Sequence, residues 1–135
     1  MTHKNIFLKI LILYLLFPMS LFGANQNYFD KGVKLYKEKK FSKSRIFFEK
    51  DIVFNPKSEK SYLYLAKIFN KNEKEAEEEM NLNNVLLLNP QNDEAIYMLT
   101  LLKIKQSNYN EAKELIEKFN LVCKSFCSKK KRNAR

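Results

Sequence analysis

Hydrophobic residues recur at helical spacing along most of the chain, and two prolines interrupt them at equivalent places. Pro56 ends the sequence Phe-Asn-Pro, and Pro90 ends Leu-Asn-Pro. Each follows a run in which apolar side chains return every three or four residues, as on one face of an α-helix. A fixed period of about 34 residues, which is the interval between these prolines, is typical of helical hairpins that bury their apolar faces by stacking on one another. The pattern therefore predicts an all-α solenoid.

The composition is compatible with a single helical domain. Of the 135 residues, 45% are hydrophobic, 2 are glycine and 3 are proline. Apolar residues in that proportion can form a core, and the scarcity of turn-forming residues predicts long helices with short connections rather than strands.

Small and large side chains alternate in a way that resembles the tetratricopeptide repeat (TPR) over residues 25–126. Small residues stand at its positions 8 and 20 in most repeats, and these are Gly32, Ser44, Ala66, Thr100 and Ala112. The resemblance, to a small exported bacterial member of the family, implies three repeats of two antiparallel helices at residues 25–58, 59–92 and 93–126. Small residues let the two helices of a hairpin approach closely, and large ones fill the space between hairpins. Another helical-hairpin solenoid and a plain bundle are the alternatives.

Two repeats depart from the family pattern. The second has Glu75 and Glu78 where an aromatic and a small residue belong, which predicts a less closely packed hairpin. The third has Lys103 at an aromatic position and Lys124 in place of the proline, which predicts a frayed end. One helical stripe of the third repeat, which no further hairpin follows, is predicted to need a partner or a second copy to cover it. Its members are Ile116, Phe119, Val122 and Phe126.

The resemblance also implies a concave groove lined by the first helix of each hairpin. The predicted partner-binding residues are Phe29, Val33, Tyr36, Leu63, Lys67, Asn70, Tyr97, Leu101 and Ile104. Further groove positions hold Glu94 and several lysines, Lys71 among them, so the groove is expected to be apolar with a basic rim. The family's carboxylate clamp requires Lys and Asn where this chain has Phe29 and Val33, so binding of a chaperone C-terminus is not expected.

Candidate catalytic chemistry is sparse. The only histidine is His3, near the start of the chain, which removes His-based acid-base catalysis, His metal sites and Ser-His or Cys-His pairs from the expected mature protein. The protein is therefore predicted not to be an enzyme, and neither a cofactor nor a metal is expected.

The two cysteines, Cys123 and Cys127, are spaced C-x3-C after the last apolar stripe. In an exported protein, two thiols this close are expected to form an internal disulfide. The helix would have to unwind near residues 124–126 to permit that bond. Free thiols and a bond to a partner chain are the alternatives.

Residues 1–24 are predicted to be a signal peptide. An apolar run from Ile10 to Phe17 follows the basic Lys4 and precedes the small residues Gly23 and Ala24. The run is about half the roughly 20 residues that a membrane-spanning helix needs, which favours cleavage. The protein is therefore expected to be periplasmic or secreted, and an uncleaved membrane anchor is the alternative.

The formal net charge of +10 is concentrated at the ends of the chain. Residues 124–135 contain six Lys or Arg and no acid, and Lys4 and Lys9 add two more positive charges. Residues 127–135 are predicted to be a disordered basic tail, with contact with an anionic envelope surface as the alternative. Nucleic acid is not an expected partner, because no aromatic residue alternates with the basic ones.

These expectations together predict an exported protein-interaction scaffold. Its groove would bind an apolar or helical segment of a partner protein, as in other helix-in-groove complexes. The alternative is a self-associating structural subunit of an envelope assembly, in which the same apolar faces join copies of the chain.

Overall fold

The computed structural model describes residues 27–124 and Cys127, and the regular structure in that part of the chain is entirely helical. The helices are α1 (Tyr28–Lys37), α2 (Phe41–Phe54), α3 (Glu59–Lys71), α4 (Glu75–Leu88), α5 (Asp93–Lys105) and α6 (Tyr109–Val122). Each helix packs chiefly on its neighbours in sequence. The predicted all-α solenoid of three hairpins is confirmed. The predicted signal peptide, and the tail beyond Cys127, lie outside the described residues.

The helix ends follow from local sequence. The side chains of Asn27, Asn92 and Asn108 each accept a hydrogen bond from the backbone N–H three residues later, which caps α1, α5 and α6. The second helices of the first two hairpins end two residues before Pro56 and Pro90, because a residue that precedes proline is pushed out of helical geometry. Within residues 27–124, no helix is both long enough and apolar enough to cross a membrane.

The turn inside each hairpin has the same backbone conformation. Lys39, Glu73 and Ser107 adopt positive φ angles of 58°, 55° and 58°, and each stands at the same position of its repeat. This left-handed conformation is unfavourable for a residue with a Cβ atom. The helix packing that the turn permits must therefore stabilise it in all three hairpins.

The first hairpin closes around a glycine. Gly32 on α1 faces the ring of Phe48 on α2, and a Cβ atom added at Gly32 would lie 2.7 Å from the Cε1 atom of that ring. The buried Ser44 Oγ donates a hydrogen bond of 2.8 Å to the Gly32 carbonyl. The small residues at these two positions thus permit the close contact that the repeat pattern predicts.

The core is divided between the hairpins. One cluster joins the first hairpin to α3 and is built from Phe48, Leu65, Ile68 and Phe69. The other joins the second hairpin to the third and is built from Ala66, Leu82, Val85, Ala95, Leu99 and Leu102. Stacking of hairpins therefore supplies most of the apolar burial, as expected for a solenoid.

The end of the third hairpin differs from the prediction. Phe119 is only 6% exposed, and its ring centroid lies 6.0 Å from that of Tyr97. The prediction that a partner must cover this residue is therefore wrong, because α5 covers it. Ile116 remains 44% exposed, and Phe126 lies outside the part of the chain that the structure describes.

Candidate functional site

The first helices of the three hairpins line one concave pocket of about 460 Å³. Its walls are formed by Tyr36, Tyr64, Lys67, Asn70, Lys71, Glu78, Glu94, Tyr97, Met98 and Leu101. All but one of these residues lie on α1, α3 or α5, and the exception is Glu78 on α4. The pocket therefore spans the whole array rather than one repeat.

Five of the nine predicted groove residues are in this lining: Tyr36, Lys67, Asn70, Tyr97 and Leu101. The other four lie elsewhere. Phe29 and Val33 pack against the core cluster of the first hairpin, and Leu63 packs against the cluster between the second and third hairpins. Ile104 is 43% exposed and lies one helical turn beyond Leu101.

Aromatic side chains form the wall of the pocket nearest the first hairpin. The Tyr36 and Tyr64 rings meet edge to face with their centroids 5.0 Å apart, and Tyr64 stacks on the buried Phe48 ring at 4.8 Å. Phe29 also contacts both Phe48 and Tyr64. Contacts between aromatic rings at these separations are favourable beyond the area they bury. Burial, with smaller contributions from Tyr64 and Glu94, raises the pKa of Tyr36, so its hydroxyl stays protonated and able to donate a hydrogen bond.

Two lysines lie in the pocket against aromatic rings. Lys67 Nζ is 2.9 Å from Glu94 Oε1 and 5.1 Å from the centroid of the Tyr64 ring. Lys71 Nζ is 5.2 Å from the centroid of the Phe41 ring. The Lys67–Glu94 ion pair joins the second hairpin to the third. It partly neutralises the rim that the sequence predicted to be basic.

Glu78 belongs to this lining but is only 2% exposed. The Nδ2 atom of Asn70 donates to both of its carboxylate oxygens, at 3.0 and 3.1 Å. Burial raises the pKa of the Glu78 carboxyl, and the hydrogen bonds from Asn70 act in the opposite direction. Ala66 and Leu82 of the same hairpin are fully buried, so the second hairpin is closed around this acid rather than loosened as predicted.

Sequence reasoning missed three residues of the lining: Tyr64, Met98 and Glu78. Tyr64 is three residues before Lys67, and Met98 is three residues before Leu101, so helical spacing places each beside a predicted groove residue. This spacing could have identified Tyr64 and Met98 from the sequence. It shows that more residues of each first helix line the groove than the repeat positions predict. Glu78 was recognised only as a departure from the repeat.

The pocket is lined by aromatic, aliphatic, charged and amide side chains. No group of three or more His, Cys, Asp or Glu side chains among residues 27–124 and Cys127 could hold a metal ion. The carboxylates of the pocket are already engaged by Lys67 and Asn70. The arrangement can present aromatic faces, hydrogen-bond donors and charges to a ligand.

The predicted cysteine pair lies outside the groove. Cys123 and Cys127 are joined in a disulfide, with their Cα atoms 5.3 Å apart. Helix α6 ends at Val122, and Cys123 has a non-helical backbone conformation with φ −59° and ψ 131°. The bond therefore starts beyond α6, at Cys123, whose backbone has left helical geometry, and ends at Cys127, which is itself helical.

Comparisons with known proteins relate the array to solved structures. No protein-family model matches the chain, and no curated protein matches it either. The chain is similar to the second TPR domain of Spaghetti (RPAP3) bound to the HSP90 peptide SRMEEVD, with a TM-score of 0.67 and 21% identity, over 73% of this chain and 94% of that one. The first TPR domain of the same protein, bound to the same peptide, gives a TM-score of 0.66 and 20% identity over 73% and 81%.

A third similar structure is the CopN-Scc3 complex, with a TM-score of 0.66 and 17% identity over 73% of this chain and 58% of that one. At sequence identities of 17% to 21%, the similarity to these structures shows a common fold. It agrees with the three stacked hairpins of the described residues. The described part of this chain has the tetratricopeptide-repeat fold.

Proposed function

We propose that this protein is an exported, non-enzymatic scaffold whose concave groove binds an apolar or helical segment of a partner protein. The observation that carries the proposal is the pocket of about 460 Å³ to which all three hairpins contribute. A site assembled from several repeats suits an extended ligand that contacts each of them in turn. Helical segments bind other grooves in this manner, through anchors at helical spacing.

The pocket and the surface beside it supply the contacts that such a segment needs. Leu101 and Ile104 on α5 are 41% and 43% exposed, and they lie three residues apart on the groove side. Burial of exposed aliphatic side chains favours association by about 25 cal/mol for each Å² removed from water. The tyrosine hydroxyls and Lys71 can pair with polar groups along the edge of the ligand.

Two of the similar structures hold the HSP90 peptide SRMEEVD, which supports a peptide or protein ligand for this groove as well. The same ligand is not proposed here. Phe29 and Val33 occupy the positions at which the carboxylate clamp requires Lys and Asn, and both pack against the core of the first hairpin. A ligand with an apolar face fits this lining better than an acidic C-terminus does.

Replacing both Leu101 and Ile104 with serine tests the groove. Tagged wild-type protein and the double variant are used to recover partners from an extract of the cell envelope. Loss of interface anchors typically costs about 1 to 2 kcal/mol or more, so recovery of the partner should fall by about tenfold.

The matched control replaces Ile46 and Met80 with serine. These side chains are 46% and 57% exposed and lie on the second helices, away from the groove. Recovery should be unchanged in this variant. Equal losses in the two variants would contradict a binding role for the groove, and a mass in solution that doubles with concentration would favour the self-associating alternative.

Export is a separate part of the proposal and rests on the sequence of residues 1–24. N-terminal sequencing of the protein recovered outside the cytoplasm should give a start at Ala24 or Asn25. Recovery of a chain with an intact Met1 in the membrane fraction would show that the segment is an anchor.

A further inference from the structure

One carboxylate of the groove pocket is buried without a positively charged partner. Glu78 lines the pocket and is only 2% exposed. The Asn70 amide donates to both of its carboxylate oxygens, but an amide brings no charge. Among the described residues, no lysine or arginine forms an ion pair with Glu78. Since buried charges in proteins are normally paired, this pocket has an unmet requirement for a cation.

The lysines on the helices that pack against α4 are held by other carboxylates. Lys67 Nζ lies 2.9 Å from Glu94 Oε1, and Lys105 Nζ lies 2.8 Å from Glu75 Oε1. Burial raises the pKa of Glu78 by more than the neighbouring groups lower it. A cation brought by a ligand would therefore pair with Glu78 without displacing an existing ion pair.

Aromatic rings in the same pocket supply a second kind of contact for a cation. Tyr36, Tyr64 and Tyr97 line it, one on each of α1, α3 and α5. Lys67 Nζ lies 5.1 Å from the centroid of the Tyr64 ring, which is within the range of a cation–π contact. Arginine makes such contacts more often than lysine does, and its planar guanidinium can also donate two hydrogen bonds to one carboxylate.

We propose that Glu78 determines which partner the groove accepts, by binding one arginine or lysine side chain of the bound segment. The tyrosine rings contact the same side chain, and Asn70 holds the carboxylate in position. Leu101 and Ile104 contact the apolar residues of the segment. The ligand is therefore a segment whose apolar face contains one basic residue. This inference rests on the proposed function of the groove and adds the chemistry of its ligand.

The pocket favours a basic ligand over an acidic one. An acidic side chain would have to pair with Lys71, which lies over the Phe41 ring and is exposed. Water already solvates an exposed lysine, so a new ion pair there contributes little. Glu78 is buried, and a cation beside it removes the penalty of an uncompensated buried charge.

Selection of displayed peptides on the full chain tests this inference. Random peptides of about 12 residues, or roughly three helical turns, are selected on the wild type, on Glu78→Gln and on Glu77→Gln. Glutamine at position 78 keeps the shape and an oxygen for Asn70 but removes the charge. Glu77 is the matched control, because it lies on the same helix, pairs with Lys74 and is 42% exposed. The wild type and Glu77→Gln should select peptides with a basic residue among apolar ones, and Glu78→Gln should not.

A second measurement requires no change to the protein. A selected peptide is synthesised with arginine at its basic position and, separately, with citrulline, which has nearly the same shape and no charge. Citrulline should weaken binding to the wild type by about tenfold, because a charged hydrogen bond is lost. It should hardly change binding to Glu78→Gln, in which the partner of that charge is already absent.

The possible failures separate this inference from the proposed function. Selection of acidic or purely apolar peptides by the wild type would overturn the inference, as would an equal effect of citrulline on both proteins. The groove would still be a binding site in either case if replacing Leu101 and Ile104 with serine prevents binding. If those replacements have no effect on the selected peptides, or if no peptide is selected, the proposed function fails together with the inference.

Discussion

Gly32→Leu should lower the midpoint of thermal unfolding by on the order of 10 °C or more. A Cβ atom at Gly32 would already lie 2.7 to 3.0 Å from three atoms of the Phe48 ring. That ring cannot move aside easily, because it is fully buried and is held between Phe29 and Tyr64. Overpacking of this kind costs about 1 to 3 kcal/mol, and each kcal/mol lowers the midpoint by about 4 to 8 °C in a domain of this size.

The matched control is Lys34→Leu, on the exposed side of the same helix. It adds a leucine to α1 without placing it against α2, so the midpoint should change little. Circular dichroism as a function of temperature measures both variants. If the Gly32→Leu protein unfolds at the same temperature as the wild type, the assigned contact between α1 and α2 is wrong.

Lys103→Met should destabilise the array by about 1 to 2 kcal/mol, the next largest effect we expect. The Lys103 side chain is 8% exposed, and its Nζ atom lies 2.6 Å from Glu79 Oε1 and 3.1 Å from Glu111 Oε2. Removing it leaves two carboxylates without their charged partner. The loss of a charged hydrogen bond costs about 1.5 to 3 kcal/mol, but Glu111 is 42% exposed and water replaces part of the interaction.

The effect of Lys103→Met should depend on pH. The hydrogen bond from Lys103 lowers the pKa of Glu79, so its stabilising contribution is present above the ordinary carboxyl pKa and is lost as pH falls through the lowered value. Burial lowers the pKa of Lys103, and the two carboxylates more than offset this, so the lysine stays charged throughout. Urea unfolding should therefore show a difference between wild type and variant that shrinks on acidification.

Lys105→Met is the control, because it removes a positive charge and an ion pair that are exposed rather than buried. Lys105 lies on the same helix and its Nζ atom is 2.8 Å from Glu75 Oε1, but its side chain is 57% exposed. Exposed ion pairs contribute little to stability, so this variant should unfold close to the wild type. A loss as large as that of Lys103→Met would show that burial of Lys103 is not what makes its ion pairs important.

The sequence predicted the parts of the fold that depend on spacing. The period between Pro56 and Pro90 sets the length of a hairpin. Gly32 and Ala66 mark where helices approach each other. These features are visible in one chain because each reflects a steric requirement of a single position. The six helices and their stacking follow from them.

The sequence did not predict features that depend on contacts between residues far apart in the chain. Glu78 appears in the sequence as a defect of the repeat, and only the structure shows that Asn70 satisfies its carboxylate. Lys103 likewise stands at an aromatic position but is paired with acids from α4 and α6. Lys39 adopts the left-handed conformation of its turn although it is not a glycine, so its residue type does not predict that conformation.

The sequence predicted only some of the residues that line the groove, for the same reason. Repeat positions select Tyr36 and Leu101, and both line the pocket. They do not show that Phe29 is drawn into the core by Phe48 and Tyr64. Which side chains of a groove remain free for a ligand depends on the packing of the neighbouring hairpins.

Photo-crosslinking in cells tests the central claim most directly. Benzoylphenylalanine is incorporated in place of Leu101 in the groove or, as control, in place of Ile46 on α2, two side chains of nearly equal exposure. Irradiation should give a product that joins the chain to another protein from position 101 and not from position 46. Products of equal yield from both positions, or a product at position 101 with twice the mass of the chain, would contradict the conclusion that this groove binds a partner protein.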